Sequence, residues 1–168
     1  EKSLQGDKVI SEIMKNFSVE THFENGGVRI IKNKNELPEN FEYDFLDCPD
    51  LFQTVCVVCA ALNIPSRFTG LQTLKLKETD RLAAMLKELK NLGAIVKWDA
   101  NSFIVMKGVV TNKPAAISTY NDHRMAMAFT PLALKMKSVT IENPDVVNKS
   151  YPDFWKDVSS AYSKPSRF

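Results

Sequence analysis

The chain repeats itself, and that constrains its fold more than any single motif. Asp7 opens DKVISEIMKNFSVETHFENGGVRII, and Asp80 opens DRLAAMLKELKNLGAIVKWDANSFIVM. Each segment begins with an acidic-basic pair and continues with helical periodicity. In the first, Val9, Ile10, Ile13, Met14 and Phe17 share one face; in the second, Leu82, Met85, Leu86, Leu89 and Leu92 do. A hairpin is predicted after each helix. Val19, Thr21 and Phe23 face Val28 and Ile30 across Asn25-Gly26-Gly27, and residues 95–98 face 103–106 across Asp99-Ala100-Asn101. A third, looser copy opens at Asp122. Its residues 125–134 are apolar on every side, as in a buried helix. Pro131 is expected to kink that helix or end it. Residues 139–141 then read as a strand and Asn143-Pro144 as a turn.

Between the copies, residues 49–62 (PDLFQTVCVVCAAL) predict a buried helix capped by Asp47 or Asp50, and residues 67–71 a short strand. Units mixing strand, helix, strand, helix and hairpin predict an α/β or α+β fold of repeated units, not a bundle or a sandwich. We expect a single domain over residues 1–168, with units at about 1–42 (partial), 43–110 and 111–160. Residues 162–168 read as a loose tail. The first residue is Glu, with no basic and apolar leader behind it. We therefore expect no secretory signal, and a chain that is a piece of something longer.

Several function classes are disfavoured. No apolar run approaches the ~18 residues of a membrane-spanning helix, so no membrane partner is expected. A net charge of +2 argues against a strongly electrostatic nucleic-acid binder. Three cysteines do not make a disulfide scaffold and suit a reducing compartment. Cys56 and Cys59 are spaced C-x-x-C, but in an apolar helix they read as buried structural residues rather than a metal or redox pair. His22, in a predicted strand, reads as packing or surface.

Four places carry candidate chemistry. Lys77-Glu78-Thr79-Asp80-Arg81 and Asn121-Asp122-His123-Arg124 both open helices. The plain reading is a solvated helix start or a cap. Against it, Arg81 and Arg124 both occupy the helix end where the dipole disfavours a cation. Exposed N–H groups there already attract anions. Adding a guanidinium gives bidentate geometry for phosphate or carboxylate. Asp44, Asp47 and Asp50 offer one cap and one general base. Asn148-Lys149-Ser150-Tyr151-Pro152 reads as an exposed loop by spacing alone.

KETDRLAAMLKELKNLGA, TYNDHRMAMAF and NPDVVNKSYPDFW, with LQGD and DCPDLFQT in the same order, closely resemble the 5-enolpyruvylshikimate-3-phosphate synthase family. The likeness runs from about Ser3 to Trp155. It implies transfer of the enolpyruvyl group of phosphoenolpyruvate to the 5-hydroxyl of shikimate 3-phosphate, releasing phosphate, in cytoplasmic aromatic amino-acid biosynthesis. It also implies two similar domains of βαβαββ units, with helix N-termini facing the substrate cleft, and no metal or organic cofactor. By motif, Asp50 matches the carboxylate proposed to deprotonate the acceptor hydroxyl. Glu78 matches the acid proposed to protonate the methylene carbon, and Lys77 a lysine beside shikimate 3-phosphate. Arg81, Arg124 and Lys149 match phosphoenolpyruvate-binding cations. His123 matches a nearby histidine without a fixed role. Two departures stand out. Leu51-Phe52-Gln53 replaces smaller residues after Asp50, so packing there is expected to differ, and Thr73 replaces a common Asn contact. The family's other domain has no counterpart in the sequence, so the chain alone is expected to be inactive. The alternatives are the sister transferase that acts on a UDP-amino sugar, and a non-enzymatic binding domain of the same fold.

Overall fold

The protein is described by a computed structural model that covers residues 5–34, 36–99, 101–109 and 113–163. A 3-10 turn (Gly6–Val9) leads into α1 (Ile10–Lys15), β1 (Val19–Glu24) and β2 (Gly27–Lys32). Next come β3 (Phe41–Asp44), α2 (Phe52–Leu62), β4 (Ser66–Thr69), α3 (Arg81–Asn91), β5 (Ile95–Asp99) and β6 (Ser102–Lys107). The chain continues with β7 (Ala115–Ile117), α4 (His123–Phe129), β8 (Val139–Ile141) and α5 (Phe154–Ser163). The class is mixed α/β, as the strand and helix periodicities predict.

The central piece is a four-stranded sheet of order β3-β4-β6-β5. β3 and β4 run parallel, with Phe41 opposite Ser66, so a crossover must join them, and α2 supplies it. β6 returns antiparallel on β4, Phe103 opposite Phe68, and pairs with β5 as a hairpin. The segment from Phe41 to Lys107 is thus one strand-helix-strand-helix-hairpin run. β7 and β8 form a separate parallel pair with α4 between them. The first hairpin, β1–β2, places Thr21 opposite Ile30. Its apolar side chains are not enclosed: Phe23, Val28 and Ile30 are at least half exposed.

The core sits around α2, where Phe52, Val55, Cys56, Cys59 and Ala60 are fully buried. Phe52 meets the rings of Phe45, Phe68 and Phe103 edge-on at 5.9, 5.7 and 5.2 Å between centroids. Each such side chain stabilises the fold by about 1.5–3 kcal/mol on burial. α3 lays Leu82, Met85 and Leu89 on the core and turns Lys87 and Lys90 outward. α4 packs across α2.

Several expectations need correction. The helix expected over 49–62 begins as a 3-10 turn, Pro49–Leu51, and neither Asp47 nor Asp50 caps it. Pro at a helix start presets φ and lacks an N–H that would need a partner, so the carboxylates are free for other contacts. The helix expected over 125–134 ends at Phe129 and continues as a 3-10 turn, Thr130–Leu134, with Pro131 in its first turn. The strand expected over 67–71 stops at Thr69, because Gly70 turns the chain at φ +72°. Asp80 and Asp122 cap their helices, whereas Asp7 lies inside the first 3-10 turn. Tyr162 belongs to α5, not to a loose tail. Residues 164–168, and Ala100 of the predicted second turn, lie outside the described residues.

Candidate active site

Two capped helix starts build the site. Asp80 Oδ1 accepts the Ala83 N–H at 3.0 Å, and Asp122 Oδ1 accepts the Arg124 N–H at 2.9 Å. Each satisfies a donor that the helix itself leaves orphaned. Arg81 and Arg124 are thereby fixed in first turns. The approach to α4 is tight: Tyr120 and Asn121 are both left-handed, at φ 55° and 57°, and the Asp122 N–H donates to the Thr119 carbonyl. The Tyr120 hydroxyl donates to Glu88 Oε1 of α3 at 2.5 Å.

Arg81 lies at the centre, only 1% exposed. Its Nε donates to Asp122 Oδ2 at 2.6 Å and its Nη2 to Asp122 Oδ1 at 3.4 Å. Its Nη1 donates to Asp50 Oδ1 at 2.7 Å, and Nη2 also to Glu78 Oε2 at 2.8 Å. Asp50 accepts in addition from Arg124 Nη2 at 2.9 Å and faces Lys77 Nζ at 3.6 Å. Burial alone would pull the Arg81 pKa down. The Asp122 hydrogen bond and charge, then Glu78 and Asp50, outweigh it and raise the pKa. Removing one partner from a buried pair of this kind costs about 3–5 kcal/mol.

Glu78 is held below the ordinary carboxylate range, first by its own backbone N–H, then by Arg81, Lys149 and His123 against a desolvation that works the other way. It is therefore ionised at neutral pH. His123 is pushed below its ordinary value, first by burial and then by Arg124 and Lys149, against the pull of Asp122 and Glu78. Its ring stays neutral near pH 7. Lys149 ends the 3-10 turn Pro144–Lys149, is exposed, and acts electrostatically on both neighbours.

The structure thus brings Asp50, Lys77, Glu78, Arg81 and Arg124 into one ion-paired cluster, with Lys149 and His123 beside it. Thr73 lies exposed in the 3-10 turn Gln72–Leu76. Phe52, one of the residues that depart from the family pattern, anchors the aromatic core, and Gln53 is buried with no partner for either amide atom among the described residues. Cys56 and Cys59 are buried thiols, with Cys59 raised by burial to about 11. The sequence reading missed the pairing of Asp122 with Arg81 and of Tyr120 with Glu88. One signal was available: Arg81 and Glu88 fall on the same buried stripe of α3 as Leu82, Met85 and Leu89.

Cations and carboxylates gathered in this way have the chemistry to hold an anion and to exchange protons. The fold is that of solved enolpyruvyl transferases. It matches EPSP synthase from Acinetobacter baumannii with a TM-score of 0.67 at 22% identity, covering 89% of this chain and 38% of that one. It matches an enolpyruvyl transferase from Streptomyces tendae with a TM-score of 0.65 at 16% identity, covering 89% and 34%. The family profile of EPSP synthase (3-phosphoshikimate 1-carboxyvinyltransferase) matches residues 1–158, and the chain belongs to that family. Among curated relatives, the 3-phosphoshikimate 1-carboxyvinyltransferase of Bacteroides fragilis strain YCH46 is 45% identical over 161 residues, 95% of this chain and 39% of that protein. That of Methanospirillum hungatei is 34% identical over 157 residues, 94% and 36%. The chain therefore spans well under half the length of these relatives.

Proposed function

We propose that this chain supplies one face of an active site that transfers the enolpyruvyl group of phosphoenolpyruvate to the 5-hydroxyl of shikimate 3-phosphate, with release of phosphate. One observation carries the reading: Asp50, the Glu78–Arg81 turn and Arg124, from three separate stretches of chain, share a single hydrogen-bonded cluster. Asp50 takes the hydroxyl proton as the oxygen attacks C2 of phosphoenolpyruvate. Glu78 delivers a proton to C3, giving a tetrahedral adduct. Loss of a proton from C3 and cleavage of the C2–O bond then release phosphate, with the electron pair leaving on the phosphate oxygen. Arg81, Arg124 and Lys149 hold the carboxylate and phosphate of phosphoenolpyruvate and stabilise the departing anion. Lys77 faces shikimate 3-phosphate.

Glu78 must be protonated to act as an acid, yet in the free protein it is held low. Arrival of a trianionic substrate supplies the remedy. It neutralises Arg81 and Lys149 and sets like charge beside the carboxylate, both of which raise its pKa. The remainder of the substrate shell comes, on this reading, from polypeptide that the relatives carry outside the matched stretch. The chain is then one domain of three repeated units. Free, buried cysteines fit a cytoplasmic setting.

The test is phosphate release by the full-length protein that carries this chain, with phosphoenolpyruvate and either shikimate 3-phosphate or a UDP-amino sugar. Release with shikimate 3-phosphate alone is expected. Release only with the sugar nucleotide would assign the sister reaction, and release with neither would favour a binding domain.

A further inference from the structure

Resting on that proposed reaction, we propose that Asp122 is the positioning residue of the site, anchoring the inner edge of the Arg81 guanidinium so that its outer edge can exchange protein carboxylates for substrate anion. Asp122 is 0% exposed and Arg81 1%. Capping α4 does not explain a buried charge at this position, because Asn or Ser caps a helix about as well as Asp. A carboxylate taken out of water needs a compensating partner. Asp122 has it in the Nε and Nη2 donors of Arg81.

The other two carboxylates on Arg81 are differently placed. Asp50 is 27% exposed and Glu78 39%, so both face solvent on the outer side. An incoming phosphate or carboxylate displaces them from Nη1 and Nη2 while Asp122 holds the guanidinium in place. Displacement also frees the two groups assigned to proton transfer from Arg81, with Asp50 still held by Arg124 Nη2 at 2.9 Å. Arg81 thus works from a fixed orientation, the condition under which proximity is most effective.

The turn that carries Asp122 is itself fixed. Tyr120 and Asn121 are consecutive left-handed residues, a conformation that Asn adopts readily but that is uncommon for Tyr. The Tyr120 hydroxyl ties this turn to Glu88, 1% exposed and two turns along α3 from Arg81. α3 and the turn therefore meet at two polar pairs, the buried Arg81–Asp122 and the part-buried Glu88–Tyr120.

The experiment uses the full-length protein, with phosphoenolpyruvate and shikimate 3-phosphate varied separately, and compares Asp122→Asn, Arg81→Lys and the double variant. In Asp122→Asn the KM for phosphoenolpyruvate should rise about tenfold or more while that for shikimate 3-phosphate stays within about twofold, and the two substitutions should be far from additive. An unchanged phosphoenolpyruvate KM, or full additivity, would overturn the proposal; a purely structural role would lower kcat with both KM values alike. If Asp122→Asn does not fold, Tyr120→Phe should raise the same KM about threefold to tenfold, and no change there would be equally damaging. The anchoring is also read without chemistry, by NMR of the Arg81 Nε–H, expected to exchange slowly in the wild type and fast in Asp122→Asn. Absence of wild-type turnover with this NMR contrast intact would sink the reaction but not the anchoring. Slow exchange retained in Asp122→Asn would sink the anchoring whatever the reaction.

Discussion

Arg81 and Arg124 sit where the helix dipole disfavours a cation, and the reason lies in their neighbours. Three carboxylates, Asp50, Glu78 and Asp122, outweigh the two helix starts. This arrangement fixes how the chain responds to acid. His123 is depressed below its ordinary value, so the unfolded chain binds more protons than the folded one as pH falls through that range. Stability is present above the ordinary histidine value and is lost as pH drops towards the folded one. Glu78, also depressed, adds loss in the same direction at lower pH. Urea midpoints should fall between about pH 7.5 and about pH 5.5, and less steeply in His123→Gln; equal slopes in the two proteins would contradict the assignment. A second residue-scale outcome concerns Gly70. A Cβ there would run into Asp44 Oδ1 and the Leu46 amide, and φ is +72°. Gly70→Ala should lose about 1–3 kcal/mol in denaturant titration, and neutrality would mean that this loop relaxes freely. At this scale the cations and carboxylates of the site were legible as residues, because helix-start arginines are conspicuous. Their mutual pairing was not, since Asp50 and Arg124 stand 74 positions apart.

Among the elements, α3 shows what periodicity can and cannot convey. Its apolar stripe predicted the helix and its buried face, whereas Asp80, read only as an acid at a solvated helix start, turns out to be the cap. Asp80→Ala should therefore cost about 1 kcal/mol, measured by thermal or chemical unfolding, whereas Asp80→Asn should cost little; equal losses would argue that the side chain is not acting as a cap. Both hairpins were readable for the same reason, since alternation over five or six residues separates strand from helix. β3 and β7 were not. They are strands through their parallel pairing with β4 and β8, a partnership that local sequence does not carry. The helix α2 was legible as buried but not in its start, where Pro49 rather than an acidic cap opens the turn.

For the whole molecule, distant segments meet at shared carboxylates: Asp80 and Asp122 cap α3 and α4, and Arg81 and Arg124 in their first turns both reach Asp50. On the proposed function, this face supplies only part of a substrate shell. Orientation of two reactants contributes about 7–11 kcal/mol to a barrier, and a half-open cleft forgoes most of it. Water at the same time reduces the attraction of each exposed cation for its anion from several kcal/mol towards about 1 kcal/mol. Weak, salt-sensitive binding of phosphoenolpyruvate should survive in the 168-residue chain, without turnover. The most direct measurement is phosphate release from phosphoenolpyruvate plus shikimate 3-phosphate, run side by side on the chain, the full-length protein and its Arg124→Ala variant. The account predicts turnover by the full-length protein, its loss in Arg124→Ala, and none from the chain alone. Turnover by the chain near the full-length rate, or full activity in Arg124→Ala, would contradict it.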